Sequence, residues 1–571
     1  MVKLTFLGIA CTLLFHPFSN IFAFEQTQEQ GGMCVNEKVL PAKPSSYKQE
    51  KKTLTIHPLK GIVIVNEPDG LIPDQNLNSM EGVVILGHHP QRNIDTLKKQ
   101  LHPFLHQTMT EETVKKIRRT IANYYRSIGH PLVVVQVPEQ ETSRGILLLL
   151  VLESRVGEVK LEGNSWTSNQ RFREYFRLRP NQVIDEGHLM DDVHFVNRNP
   201  FRRIDVIYAP GAEPGTTDVT LKATEKRPFR FYTGADNSGV DPIGKGRYRA
   251  GFNWGNAFGL DHIMAYQYTM ALDTKLFYAH TGEYIIPLPW KHVLDMFGGY
   301  SHVKPKKIKG IQRNKGWSLQ TSLRYTIPLK VYSSYEHEIS GGFDFKRTNN
   351  TFEFSEYYPS FGNNVNLTQL LVSYTGSFRR ERFQLDFDSH LYWSPGKWLS
   401  DQSNQAYDSL RPGAKNRWLY FRGSCAYLQT LPYEFSFSLV SRGQYSSQAL
   451  LPSEQFGLGG YDTVRGYEQR ELNKDHAILV SLEGRSPPLH LLQHRRDALQ
   501  FLLFADYGWG NNRQIVPDGE KAEYLLGVGP GARYSIPHYL TMQLDWGIKL
   551  HKKTAYGGGN SMFHFSITAA Y

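Results

Sequence analysis

Little in this 571-residue chain is spaced for catalysis. No Gly-x-Ser-x-Gly elbow, no His-Glu-x-x-His helix and no phosphate-cradling Gly-x-x-x-x-Gly-Lys followed by Ser or Thr occurs. Gly527-Val528-Gly529-Pro530-Gly531 resembles a glycine loop only superficially, because it sits between strand-like runs. His88-His89 and the pair His102 and His106 offer imidazoles. Pro103 interrupts the second pair and no cysteine lies near, so they read as surface histidines, and neither metal nor cofactor is expected. The residue that demands a partner is Arg465, in the stretch Leu450 to Tyr467, LLPSEQFGLGGYDTVRGY. Pro452, Gly457, Gly459 and Gly460 make this a reversing loop rather than a strand, yet it displays Phe456, Leu458, Tyr461 and Tyr467. A loop so apolar is expected to pack inside something, and a guanidinium at its tip then needs an anion. The nearest downstream candidate is Asp506, in Phe504-Ala505-Asp506-Tyr507-Gly508, where one carboxylate interrupts the apolar run Phe501 to Phe504. The plainer reading is an arginine that solvates a channel.

The elements that must position this loop are β-rich. No run of roughly 18 apolar residues occurs, which argues against a spanning helix in the mature chain. Tyr 32, Phe 32 and Gly 49 suit a transmembrane barrel, which hides its hydrophobicity in alternation and wears aromatic girdles. The net charge of +11 is spread through the chain without a recognition-helix or finger pattern, so nucleic acid is not an expected partner. Lys3, the apolar run Leu4 to Phe15 and the small Ala23 predict a signal peptide over 1–23, with Cys11 inside its core rather than at a lipoprotein site. Cys34 and Cys425 lie too far apart in sequence to suggest a disulfide framework. Residues 24–59 read as a polar, flexible leader.

Residues 60–154 then give strand-like Gly61 to Val65 and Val83 to Leu86, a Thr110-capped helix with Val114, Ile117, Ile121, Tyr124 and Ile128 on one face, and strands at Pro131 to Val135 and Ile146 to Leu152. A similar order returns over 155–226, so two small α+β domains of β-α-α-β-β type are expected by duplication. From 229 to 571 the helical period is absent. Tyr248, Ala250, Phe252 and Trp254 alternate with Arg247, Arg249, Gly251 and Asn253, and Leu540 to Ile548 alternate likewise. A soluble sandwich would share that period. The last strand favours the barrel, since Phe563, Phe565, Ile567 and Ala569 alternate up to a terminal Tyr571. Roughly 340 residues at about 20 per strand and connection predict on the order of 16 antiparallel strands. Ile286 to Pro289 and Ile327 to Leu329 suit periplasmic turns, whereas Asn349 to Thr351 and Gly557 to Asn560 suit outer loops.

The Val464-Arg465-Gly466-Tyr467 tip and the Phe504-x-Asp506-x-Gly508 strand resemble motifs of the outer-membrane superfamily that includes the barrel-assembly insertase. The resemblance is nearest to the transporters of two-partner secretion, the haemolysin and filamentous-haemagglutinin secretion family. Arg442-Gly443-Gln444, Ala235 to Gly239, Asn256 to Asp261 and Tyr325 to Leu329 extend it. It implies an all-β transmembrane barrel preceded by two POTRA-like periplasmic domains, with loop 450–467 folded into the lumen and Arg465 meeting Asp506. It also implies that Phe563, Phe565 and Tyr571 form the signal read by the barrel-assembly machinery. The expected function is a non-enzymatic outer-membrane pore, in contact with outer-membrane lipid, that takes an unfolded exoprotein from the periplasm and secretes it. An assembly factor for other barrels is the alternative, and a plain porin would have no use for paired periplasmic domains.

Overall fold

The computed structural model describes residues 58–66, 80–87, 94–130, 132–213, 215–306, 315–332, 334–350, 361–492, 497–514, 521–551 and 559–571. The expected signal peptide, nearly all of the leader, Cys11, Cys34 and His88-His89 lie outside them. Of the described residues, one compact unit takes in 58–197 together with Arg202–Glu225, and the other takes in Arg198–Phe201 together with 226–571.

The first unit opens with β1 (Gly61–Val65), β2 (Gly82–Leu86), α1 (Ile94–Leu101), α2 (Glu111–Ser127), β3 (Val133–Gln136) and β4 (Ile146–Glu153). The sheet order is β2-β1-β4-β3, with β1 parallel to both its neighbours. Thr110 starts α2 by accepting the Thr113 N–H at 3.1 Å. The 3.6-residue period of α2 sets Ile117, Ile121 and Tyr125 against Ile62, Ile64, Leu147 and Leu149 in one buried cluster. Next come β5 (Arg155–Glu162), α3 (Asn169–Tyr175), α4 (Glu186–Val196), β6 (Arg202–Pro210) and β7 (Thr216–Glu225), in sheet order β5-β7-β6. Strands β1, β4 and β3 match β5, β7 and β6 in order and direction; β2 is the addition that covers one edge of the first sheet.

The second unit is a barrel of sixteen strands, closed and antiparallel throughout. Its strands are β8 (Phe229–Asp236), β9 (Arg247–Ala257), β10 (His262–Ala271), β11 (Phe277–Pro287), β12 (Val293–Val303), β13 (Gly316–Pro328), β14 (Tyr335–Asn350), β15 (Phe361–Arg380) and β16 (Phe383–Pro395). Helix α5 (Asn404–Leu410) precedes β17 (Arg417–Thr430) and β18 (Ser436–Ser446). A small hairpin, β19 (Phe456–Leu458) with β20 (Leu472–Lys474), stands apart from the wall. The wall resumes with β21 (His476–Arg485), β22 (Ala498–Asn511), β23 (Ala522–Ile536), β24 (Leu540–Lys549) and β25 (Ser561–Ala570).

Alternation decides which side chain meets which medium. Leu544 and Trp546 are exposed on the outer side while Asp545 between them is fully buried inside. The barrel closes where β25 pairs with β8, and the Tyr571 backbone extends that seam by exchanging bonds of 2.9 and 3.0 Å with Phe231. Connections after β11 and β13, which carry Ile286 to Pro289 and Ile327 to Leu329, leave at the same end as the C-terminus. Strands β12, β14, β16 and β18 end at the other, where the connections 396–416 and 447–475 leave.

Two sequence expectations require correction. The helical period does return after 229, in α5, whose Ser403 cap accepts the Ala406 N–H at 3.1 Å. Seven residues span barely two turns, too few to establish a period in sequence. The segment around Arg465 is also not purely a loop. It runs from 447 to 475 between β18 and β21 and contains the β19–β20 hairpin, so the chain turned inward is longer than 450–467.

Candidate functional site

The tip of this segment, Val464 to Tyr467, is buried against the inner faces of β21 to β25. Arg465 spends all its donors there. Its backbone N–H donates to Asp506 Oδ2 at 3.0 Å, its Nε to the same oxygen at 2.7 Å and its Nη2 to Oδ1 at 2.8 Å. Its Nη1 donates to Glu483 Oε1 at 2.6 Å and stands 3.7 Å from Asp545 Oδ1. The Ser481 hydroxyl donates to Asp506 at 2.6 Å, and the guanidinium carbon lies 3.6 Å from the centre of the Phe504 ring. Burial works against the charge of Arg465, but the bonds to Asp506 and the charges of Asp506, Glu483 and Asp545 outweigh it and raise its pKa above the usual value. This guanidinium is a cation at every pH the barrel meets.

Close approach at the tip depends on glycine. Gly466 has φ of 98°, and a Cβ placed on Gly547 of β24 would stand 2.2 Å from the Gly466 nitrogen. Gly508 leaves room in the same way: a Cβ there would meet Val464 and Leu458 at 2.9 Å. Val464 and Tyr467 join Phe456, Leu458, Leu472, Leu479 and Leu525 in a buried apolar cluster. The Tyr467 hydroxyl donates to the carbonyls of Leu526 and His551 at 3.0 and 2.5 Å.

The structure therefore brings Val464, Arg465, Gly466 and Tyr467 together with Phe504, Asp506 and Gly508. Phe563, Phe565 and Tyr571 are instead exposed on the outer side of the barrel. His564, between the first two, points inward and accepts the Gly466 N–H at 3.0 Å. Sequence reasoning missed Glu483, Ser481, Asp545 and His564. Their only signal was a polar residue at an inward position of an alternating strand.

Further anchors hold the rest of the segment. Glu454 accepts from Lys346 and the Tyr420 hydroxyl, both at 2.8 Å, and from Gln369 at 3.2 Å. Asp475 takes both Nη atoms of Arg411, just past α5, at 2.7 and 2.9 Å, and the backbone N–H groups of Leu450 and Arg513 at 3.0 Å each. Asp475 thus ties three separate outer connections to one carboxylate.

A closed, outwardly apolar antiparallel barrel that follows small α+β domains defines an outer-membrane β-barrel protein with those domains in the periplasm. The family described as haemolysin secretion/activation protein ShlB/FhaC/HecB matches residues 215–534, and the POTRA domain of ShlB type matches residues 80–154. The chain belongs to this family and is an outer-membrane transporter of two-partner secretion, moving a partner exoprotein across the outer membrane. Among its relatives, the heme/hemopexin transporter protein HuxB of Haemophilus influenzae (strain 86-028NP) is 22% identical over 481 residues, 79% of this chain and 80% of that protein. The outer membrane transporter CdiB of Dickeya dadantii (strain 3937) is 22% identical over 380 residues, 64% of this chain and 65% of that protein. Solved structures of CdiB share the fold. The Escherichia coli protein superposes with a TM-score of 0.75 at 16% identity, covering 97% of this chain and 98% of that one. The Acinetobacter baumannii protein gives 0.67 at 16% identity, with 96% of each chain covered.

Proposed function

We propose that Arg465 and Asp506 hold the inward-turned segment as a lumenal anchor that secretion requires. The observation behind this is the use of every Arg465 donor on wall groups, which a cation that merely solvated a channel would not need. Secretion by Arg465→Ala at normal barrel levels tests the reading: undiminished export of the exoprotein would refute it.

Residues 60–154 and 155–226 act in this scheme as two domains that hold the unfolded exoprotein as an added strand on a free sheet edge. Strand β6 is such an edge, paired only with β7 among the described residues, and it exposes Arg203, Asp205 and Ile207. Photo-crosslinkers at Asp205 and Ile207 in the full-length protein should capture exoprotein during secretion, whereas one at Arg119 on the exposed side of α2 should not. Equal capture at all three positions would remove the edge as the grip. Because the periplasm supplies no ATP, folding of the exoprotein outside gives the transport its direction. Phe563, Phe565 and Tyr571 serve the assembly machinery, and the outer apolar band meets lipid. No catalytic role is assigned. Among the described residues Ser424, His390 and Asp388 come nearest to a hydrolytic set, but Ser424 and His390 each bond the Asp388 carboxylate and not one another, so nothing activates the hydroxyl.

A further inference from the structure

The connection between β12 and β13 is one-sided in charge. Residues 304–315 hold Lys304, Lys306, Lys307, Lys309, Arg313 and Lys315 and no acidic residue. Like charges in such a run repel one another, and an anion relieves the repulsion. Its described residues, Lys304 to Lys306 and Lys315, lie at the end of the barrel opposite the C-terminus.

The described residues around it share a face. Lys304 and Lys315 stand close enough for their charges to act on His302. His302 is on the lipid side of β12, stacked at 5.2 Å on Tyr278, and its Nδ1 has no hydrogen-bond partner among the described residues. On the neighbouring flank, Asp344 and Lys346 of β14 point into the lumen, so Arg347 points to lipid. Its guanidinium lies 5.8 Å from the Trp317 ring, and its buried Nε also lacks a hydrogen-bond partner among the described residues. None of Lys304, Lys306, Lys315 and Arg347 forms an ion pair with a described residue. An arginine on the lipid face is costly unless it meets a charged headgroup. Below it, Leu319, Leu323 and Phe345 continue the outer face toward the middle of the bilayer.

We propose that this corner binds a phosphate-bearing glycolipid of the outer leaflet. Its phosphates meet Lys304, Lys306, Lys315 and Arg347, and its acyl chains lie along Leu319, Leu323 and Phe345. The inference rests on the outer-membrane orientation given above and on none of the roles proposed for Arg465. Trp317 and Tyr278 frame the polar part of the lipid, as aromatic residues do at a membrane interface.

The test uses the full-length barrel in nanodiscs of phosphatidylcholine, given bisphosphorylated lipid A or its fully dephosphorylated form and read by native mass spectrometry at low salt. Each cation near an anionic lipid surface contributes about fivefold in affinity. The triple variant Lys304→Gln, Lys306→Gln, Lys315→Gln should therefore retain the bisphosphorylated lipid about a hundredfold less well than wild type. A variant matched in charge on another outer connection and the strand end beside it, Lys397→Gln, Lys415→Gln, Arg417→Gln, should retain it as wild type does. Arg347→Gln should lose about fivefold. The proposal is overturned if the two triple variants lose lipid alike, since net charge alone then governs retention. It is equally overturned if wild type holds the dephosphorylated lipid as well as the phosphorylated one, since apolar contact then suffices. Heat-modifiable migration of each variant verifies that the barrel compared is folded.

Discussion

Arg465→Ala and Asp506→Asn are expected to differ, although each breaks the same contact. In the wild type, Asp506 is fully buried and is met by Arg465 through three bonds of 3.0, 2.7 and 2.8 Å, with Ser481 at 2.6 Å. Once the guanidinium is removed, Glu483 and Asp545 keep Arg485 and Arg533 as hydrogen-bonded cations, whereas Asp506 keeps the Ser481 hydroxyl and the charge of Arg442. Arg485 bonds Glu483 at 2.6 Å and Arg533 bonds Asp545 at 2.8 Å, so Asp506 is the carboxylate left without a cation bonded to it. Stranding one member of a buried pair costs about 3 to 5 kcal/mol. Asp506→Asn leaves Arg465 with Glu483 at 2.6 Å and Asp545 at 3.7 Å, which keeps the cation compensated and lowers the expected cost to about 1 to 2 kcal/mol. The assay is a cysteine at the buried Thr463, in a background with Cys34→Ser and Cys425→Ser, labelled on intact cells by an impermeant maleimide. Its labelling rate follows the population of the released tip. The arginine variant should label roughly a hundred- to several thousandfold faster than wild type, and the asparagine variant about tenfold faster. The double variant, which no longer strands the Asp506 charge, should label more slowly than Arg465→Ala alone. Labelling of Arg465→Ala at the wild-type rate would refute the anchor. A larger effect for Asp506→Asn than for Arg465→Ala would refute the sharing of charge among the three acids.

Gly547→Val should release the tip in the same assay and lower secretion at least tenfold, because even a Cβ would stand 2.2 Å from the Gly466 nitrogen; Gly341→Ala, with no atom within 4 Å of its added carbon, is the neutral control. Deleting Tyr571 removes both the ring and the backbone that pairs with Phe231, whereas Tyr571→Ala removes the ring alone. If the ring is the assembly signal, heat-modifiable barrel in the outer membrane should fall several-fold in both; a fall confined to the deletion would assign the effect to the seam. Glu454 is pressed toward protonation by burial, but Lys346, Tyr420 and Arg422 prevail and lower its pKa below the ordinary carboxylate value. Its stabilising contribution is therefore complete above about pH 4.3 and is lost as the pH falls through the lower folded value. The midpoint temperature of heat modifiability should be insensitive to Glu454 between roughly pH 5 and 8, and Lys346→Met should move the acid transition upward.

What could be read from the sequence followed from what each contact needs. The barrel was legible because a wall between lipid and lumen imposes a period of two on every strand, as in Tyr248 to Trp254 and Leu540 to Ile548. Asp506 was legible because it breaks an apolar run, and Arg465 because its loop is too apolar to be solvated. Glu483, Asp545 and His564 were not. Each occupies an ordinary inward position, and only closure of the barrel decides which of many such positions the tip will face. Lys346 and Glu454 illustrate the same limit, since 108 residues separate them and neither marks its neighbourhood. Helix α5 was hidden by its length, and its inward packing by the distance between Tyr407 and its partners Leu367 and Trp418.

The distribution of the anchors bears on how the inward segment can leave. Its tip is held by β21 to β25, Glu454 by groups from β14, β15 and β17, and Asp475 by Arg411 and the backbone of Leu450 and Arg513. These three attachments use separate charges, so loss of one does not discharge the others. Withdrawal as a rigid plug would have to break all three at once, whereas release of the tip alone breaks one. Arg411→Ala separates the two routes. It frees the base of the segment while leaving Arg465 and Glu454 paired. If the segment moves piecewise, Arg411→Ala should leave Thr463 cysteine labelling within about threefold of wild type, in contrast to the large effect expected of Arg465→Ala. If it moves as one body, both variants should accelerate labelling by comparable factors, and the independence inferred from the separate carboxylates would be wrong.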